Sequence, residues 1–319
     1  MNVGELSLER FAGRLAGEGV AIRWGPFVSR IVSKLPELAA PLHLLYADFP
    51  IEPPGGICDF HVCVRPRSLR LPWEEQQVEF LLDGVRVFQP VPRQSALTVF
   101  EWRLNWCVYA LANNFLIYHA AVVERDGLSL LLPGHSGVGK STLCAGLVTA
   151  GWRLLSDELA LLNPDDGRLR PLARPISLKN QSIDLIKSIA PDGTFGPIAT
   201  DTAKGRVAHM KPPTSSVRRA GQPAAPRLIV LPRFRRGAPL RLAPVPKTKA
   251  FFRLAETAVN YETHGEQGFL AMIRLIDASD CYELEYSSLD HAVAAMEDLV
   301  RSMSVERRCR TTTLPVMTC

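Results

Sequence analysis

The run GHSGVGKS, Gly134 to Ser141, constrains this chain more than any other stretch. It satisfies G-x-x-x-x-G-K-[ST] and has the setting that spacing requires, with the apolar strand-like run LSLLLP in front and a helix-forming run behind. Glycines at 134, 137 and 139 open backbone angles closed to other residues, so successive N–H groups can turn toward one point. A helix beginning near Lys140 adds its positive end. Such a cradle binds phosphate. The expectation is a nucleotide site built from Gly134, His135, Ser136, Gly137, Val138, Gly139, Lys140, Ser141 and Thr142. In it Lys140 reaches the β- and γ-phosphates as a point charge and the Ser141 hydroxyl ligates Mg²⁺, while Thr142 completes the run without a metal role.

A cradle fixes the donor but not the reaction, which depends on where the carboxylates lie. Asp157, in LLSDE, comes 17 residues after Lys140. A helix of about three turns followed by a short strand lets that strand run parallel beside the first, bringing Asp157 and Glu158 to the γ-phosphate side. A carboxylate there can hold Mg²⁺ or accept a proton from an attacking hydroxyl. His119 lies 15 residues before Gly134 and reaches the cradle if 117–124 and 127–132 form a hairpin. On spacing alone a lone strand histidine is more often a satisfied core residue.

The rest of the chain supplies the scaffold. Residues 1–95 form a sheet-rich leading region: a short helix, SLERFAGRLAG, then strand-like runs GVAIRWG, LHLLYADF, CDFHVCVRP and QVEFLLDGVRVFQPV. Alternation in the last two predicts half-buried antiparallel strands, with Asp83-Gly84 as a hairpin turn. Large apolar residues at helical spacing in 96–116 predict a connecting helix. From 117 to 305 strand and helix patterns alternate, the mark of an α/β core. Inside it, 210–226 is rich in Pro, Ser, Gly and Ala without period and is expected as a mobile surface loop. Residues 306–319 read as a flexible tail.

Composition excludes several classes. The chain has 319 residues, 47% of them hydrophobic, enough for one large domain or two ordinary ones. Its net charge of +5 comes from 37 basic and 32 acidic residues spread along the chain, so no nucleic-acid partner is expected. Seven cysteines with no C-x-x-C pair fit a reducing compartment rather than a disulfide frame or zinc site. The start has no secretory pattern and no stretch approaches the roughly 20 apolar residues of a membrane span. A cytoplasmic protein with no membrane partner is the expectation.

The segment YHAAVVERDGLSLLLPGHSGVGKSTLCAGLVTAGWRLLSDELALL resembles the catalytic core of the HPr kinase/phosphorylase family over roughly 118–162. The shared features are a His-Ala step, a short turn, the glycine loop, a helix and then G-x-x-L-L-S-D-E. The resemblance implies a P-loop core with a mixed sheet, related to that of phosphoenolpyruvate carboxykinase, preceded here by a smaller α+β region. It implies transfer of the γ-phosphoryl of ATP, with Mg²⁺, to a serine hydroxyl of a small protein. Asp157 then matches the acid/base, Glu158 its acidic neighbour and metal ligand, and His119 the family's active-site histidine. The family's downstream acidic-x-Arg-Gly-x-Gly signature is missing, and the leading region does not match the family's usual N-terminal domain. The likeness is therefore to the HPr-kinase-related proteins, of the kinase A type group, rather than to true HPr kinase.

Basic side chains that a closing loop would bring to a transferring phosphoryl are Arg174 and Lys179 in RPISLKNQS and Lys204, Arg206 and His209 in KGRVAH, while Arg233, Arg235 and Arg236 in PRFRRG end at the same sheet edge if the buried strand before them runs parallel. The leading expectation is an ATP- and Mg²⁺-dependent kinase acting on a Ser or Thr hydroxyl of a peptide or small protein. Two alternatives stand beside it: a small-molecule P-loop kinase, and an NTP-hydrolysing switch or scaffold with no phosphorylated acceptor. The sequence is compatible with a homo-oligomer and has no NKxD motif of the guanine-specific kind.

Overall fold

The computed structural model describes residues 1–67 and 76–312. The leading region opens with α1 (Leu8–Ala16), capped by the Ser7 hydroxyl, which accepts from the Arg10 amide at 3.3 Å. It continues through β1 (Val20–Trp24), β2 (Phe27–Ser33), α2 (Pro36–Leu45), β3 (Phe60–Pro66), β4 (Gln77–Leu82), β5 (Val85–Arg86) and β6 (Val91–Pro92). These strands make one sheet in the order β1-β2-β3-β4-β5, with β6 also on β4. Asp83 and Gly84, both at positive φ (50° and 79°), turn the β4–β5 hairpin as expected. β3, β4 and β5 pair antiparallel as expected. β2 and β3 run parallel, because α2 carries the chain across between them. That helix includes part of LHLLYADF, expected as a strand. Pro36 stands in its first turn, where its fixed φ suits a helix, and Leu38, Leu42 and Leu45 are buried on one side.

The connecting helix, α3 (Ala96–Leu111), leads into the larger sheet. Its strands are β7 (Leu116–Arg125), β8 (Leu128–Pro133), β9 (Arg153–Ser156), β10 (Leu159–Leu162) and β11 (Leu169–Arg170), followed later by β15, β16 and β17. Between them come α4 (Lys140–Thr149), β12 (Ile176–Lys179), α5 (Gln181–Ile189), β13 (Ala199–Thr202), β14 (Gly205–Met210) and α6 (Thr214–Arg218). The chain then runs through β15 (Pro226–Phe234), β16 (Arg241–Pro244), α7 (Lys247–Ala255), α8 (Tyr261–Asp277), β17 (Asp280–Tyr286) and α9 (Leu289–Thr312). The large sheet is mixed, ordered β11-β10-β7-β8-β15-β17-β16, with β9 also on β7. β8, β15 and β17 are parallel neighbours, and both β8 and the middle of β15 are buried apolar runs, as parallel strands covered on both faces must be. One apolar cluster joins α4 and α9 to this sheet, and another joins α7 and α8 to it. No helix among the described residues is long and apolar enough to cross a membrane.

Two further expectations are corrected. The segment 210–226, expected as a mobile loop, holds α6 and is tied down on several sides. Ser216 Oγ accepts from the Leu154 amide at 3.0 Å, and the carbonyls of Arg219 and Gln222 accept from Arg153 at 2.7 and 2.6 Å. The Ser216 hydroxyl thus satisfies a backbone amide of β9. The tail expected over 306–319 is helical in its first half, since α9 runs to Thr312, and residues 313–319 lie outside the described residues.

Candidate active site

The glycine loop leaves β8 at Pro133 and enters α4 at Lys140, the strand-to-helix setting expected. Gly139 caps the helix at φ 99°, where a Cβ would stand 2.5 Å from the Tyr286 hydroxyl oxygen and 3.2 Å from Phe234 Cβ. Only glycine fits there. Three neighbouring strands hold the loop in place. The Gly134 amide donates to the His119 carbonyl (3.4 Å), the Phe234 amide to the Val138 carbonyl (3.1 Å), and the Tyr286 hydroxyl to the Gly139 carbonyl (3.2 Å). None of the amides from His135 to Thr142 donates to any protein atom among the described residues. A row of unspent N–H groups at a helix start is what an anion of several oxygens would fill.

Lys140 is 6% exposed and donates from Nζ to the His135 carbonyl at 2.9 Å. Burial pulls its pKa down to about 8, with Lys179 and Lys204 adding to the effect and Asp157 and Glu158 opposing it. It lines a cleft of about 850 Å³ together with loop residues Ser136, Gly137, Gly139, Ser141 and Thr142, with His119, Asp157 and Glu158, and with Lys179 and Lys204.

β7 and β8 form the expected hairpin, pairing Ala120 with Pro133, so His119 sits level with the start of the loop. Burial, then the positive charge of Lys140, lowers its pKa to about 4, leaving a neutral imidazole at pH 7.

Asp157 reaches the cleft by a route that corrects the expectation. β9 does not lie beside β8. It pairs antiparallel with β7, which is itself antiparallel to β8, so it runs in the same direction as β8 with β7 between them. The carboxylates turn between β9 and β10 and still arrive at the loop's end of the sheet. Asp157 is 5% exposed, and its Oδ2 accepts from the Ser177 amide at 3.0 Å. Its Oδ1 has no hydrogen-bond partner within normal distance. Burial and then the charge of Glu158 raise its pKa to about 6, while the Ser177 amide, Lys179 and the nearby Ser141 hydroxyl pull it back.

Glu158 is held differently. Its Oε2 accepts from Asn105 Nδ2 at 2.9 Å, and Oε1 lies 3.6 Å from Lys179 Nζ. Burial would raise its pKa, but Lys179, His119, Lys204 and His209 together bring it below the usual range. The adjacent carboxylates are thus tuned apart, one toward protonation and one toward charge.

Among the described residues no three His, Cys, Asp or Glu side chains gather to hold a metal ion. Ser141, Asp157 and Glu158 nonetheless form an oxygen donor set of the kind Mg²⁺ uses when phosphates complete its shell, and the orphaned Asp157 Oδ1 fits that use.

The basic candidates divide. Lys179 and Lys204 line the cleft. Lys204 rests on Trp102, 4.7 Å from the ring centre. Arg206 faces away and pairs with Asp184 at 2.9 Å. Arg174 is buried against Glu101 rather than open to the cleft. β15 does run parallel to β8, so PRFRRG emerges near the loop. Of that run Phe234 lines the cleft, whereas Arg233, Arg235 and Arg236 do not, and Arg235 pairs with Glu285. His209 is fully buried behind the carboxylates, with neither ring nitrogen partnered. It shares a cavity of about 20 Å³, room for one water, with Asp157 and Ser177.

Several site residues escaped the sequence. Asn105 left one trace, a lone amide inside the apolar run EWRLNWCVYAL. Ser177, Tyr286 and Phe234 left none, since their roles come from strand pairings far apart in the chain.

No family model matches the chain, and no curated protein matches it either. Among solved structures it is similar to the Hpr(Ser) kinase/phosphatase from Coxiella burnetii, at 13% identity over 60% of this chain and 98% of that one, with a TM-score of 0.29. The likeness is distant.

Proposed function

We propose that this chain is an ATP-dependent kinase that transfers the γ-phosphoryl group to a Ser or Thr hydroxyl of a peptide or small protein, as in HPr-kinase-like enzymes. The observation that carries it is Asp157: a carboxylate 5% exposed, with one oxygen unpartnered and a pKa near 6, in the same cleft as a row of free loop amides. A base of that kind is tuned to take a proton near neutral pH. A purely structural carboxylate at this depth would be paired.

In this reading the loop amides and Lys140 hold the β- and γ-phosphates. The acceptor hydroxyl gives its proton to Asp157 as its oxygen bonds to the γ-phosphorus, and the bond from that phosphorus to the β–γ bridging oxygen breaks, releasing ADP. Lys140 and the amides face the charge that develops on the transferring group. Lys179 and Lys204 line the same cleft, able to approach the same charge. His119, neutral, offers a hydrogen bond rather than a charge at the loop's edge. Mg²⁺, when bound by Ser141 with Asp157 or Glu158, would offset phosphate charge.

The test is incubation of the purified chain with γ-labelled ATP and a lysate of its host. Label on a protein or peptide band, absent with Asp157→Asn, supports the proposal. Label released only as inorganic phosphate would make the chain a hydrolytic switch. Label on a metabolite would make it a small-molecule kinase.

A further inference from the structure

We infer that Phe234 and Tyr286 form the wall on which the nucleotide base lies, and that this wall holds a purine by its face without reading its edge. The inference rests on the nucleotide site proposed above and adds where the base goes and how selective the site is.

The cleft has two unlike ends. Toward β9 and β12 it carries the carboxylates and lysines, and toward β15 and β17 it is lined by Phe234, Tyr286 and Leu289. Phosphate chemistry accounts for the first end and leaves the second unexplained. Phe234 closes a strand whose middle is buried, yet it is itself 49% exposed, an aromatic ring open at the mouth of a polar cleft. An exposed ring there finds a natural partner in a flat aromatic ligand.

The ring is also placed to act with the cradle. The Phe234 amide bonds the Val138 carbonyl, and its Cβ packs against Gly139, so the ring is anchored to the loop backbone itself. Tyr286 supports it from behind, with ring centres 5.7 Å apart at 70°. A base attached to phosphates in the cradle therefore meets a wall that does not move independently of them.

This end has little with which to tell one purine from another. The Tyr286 hydroxyl donates to the Gly139 carbonyl, and the Ser287 hydroxyl donates to the Ala238 carbonyl at 2.7 Å. Leu289 and Leu185 have no polar group to offer, and of the polar side chains at the start of α5 that line the same cleft, Asn180 donates to the Lys204 carbonyl and Ser182 to the Lys179 carbonyl, which leaves the Gln181 amide. Stacking tolerates every base because each has a π-face, whereas discrimination needs hydrogen bonds to the edge.

The experiment is calorimetric titration of the full chain, wild type, Phe234→Leu and Phe234→Tyr, with ATP, GTP and inorganic tripolyphosphate. Leucine keeps the packing against Gly139 but loses the ring, and tyrosine restores the ring. In the wild type, ATP and GTP should bind within about tenfold of each other. Phe234→Leu should weaken both by about tenfold with tripolyphosphate unchanged, and Phe234→Tyr should restore both. Unchanged ATP affinity in Phe234→Leu would put the base elsewhere. An equal loss for tripolyphosphate would mean that Phe234 acts only through the loop. A purine preference beyond about tenfold would mean that the edge is read. If the wild type binds tripolyphosphate but gains nothing from the base, this inference fails alone. If it binds neither nucleotide nor tripolyphosphate, the nucleotide site itself fails.

Discussion

Replacing Asp157 by Asn should abolish transfer while making the folded chain more stable, a combination that a structural carboxylate would not give. The folded acid has a pKa of about 6 against an ordinary 3.8. At about 1.4 kcal/mol per unit, keeping it ionised at pH 7 costs the native state about 3 kcal/mol relative to the neutral acid. The sign follows from the raised value. The favourable term is fully present below the unfolded pKa of 3.8 and is lost as pH rises through about 6. Asparagine keeps an acceptor for the Ser177 amide and has no charge to bury, but its NH₂ lacks a partner, at a cost of about 1–2 kcal/mol. The net gain is about 1–2 kcal/mol, or roughly 1.5–3 °C in melting temperature for a chain of this size. It should be seen at pH 7 and shrink toward pH 5 in parallel melts of both proteins. Turnover should fall by about 10²–10⁴ with ATP affinity within about threefold of wild type. A lower melting temperature at pH 7, or turnover within tenfold of wild type, would refute the reasoning.

Three other outcomes follow from the same geometry. The kcat/KM for ATP should rise through about pH 6 as Asp157 ionises and fall above about pH 8 as Lys140 loses its proton, and a profile flat from pH 5 to 9 would contradict both assignments. Gly139→Ala puts a methyl 2.5 Å from the Tyr286 hydroxyl oxygen at a φ of 99°, so calorimetry should show ATP binding weakened at least about thirtyfold while circular dichroism stays native. Asn105→Ala removes the donor to Glu158 and the acceptor for Arg174, and denaturant melts should show a loss of about 1–3 kcal/mol.

The parts of the site that were legible in the sequence are those made by neighbours in the chain. The glycine loop, its flanking strand and helix, and the hairpin that brings His119 level with Gly134 all depend on short-range spacing. The direction of β15 could be inferred only as a condition, and the structure meets it. What the pattern could not carry was partner choice between strands. Four buried residues, Arg153 to Ser156, look the same whether they pair with β8 or β7. The strands around Lys179 and Lys204 looked like isolated basic positions because β12 and β14 are short and pair across an intervening helix. The turns of α6 were hidden by Pro, Ser and Gly, residues that favour loops unless, as with Ser216, tertiary partners use their side chains.

The leading region is tied to the site through α3 rather than merely preceding it. α3 places Glu101 and Asn105 four residues apart, on one face of the helix. Glu101 pairs with Arg174, and Tyr46, just past the end of α2, donates to the same carboxylate at 2.8 Å. Asn105 accepts from Arg174 and donates to Glu158, so one chain of contacts runs from α2 to the cleft. Both members of the Arg174–Glu101 pair are almost fully buried, and losing either would leave a charge stranded in the interior. The apolar core repeats the pattern, since Ile117, Leu159 and Leu161 of the large sheet pack in the same cluster as Trp24, Phe27 and Phe60 of the small one. The breaks in sequence pattern near 95 and 116 therefore mark a change of architecture and not a gap in the core. Glu158 itself is held from both sides of the second break, by the Asn105 amide of α3 and by Lys179 of β12.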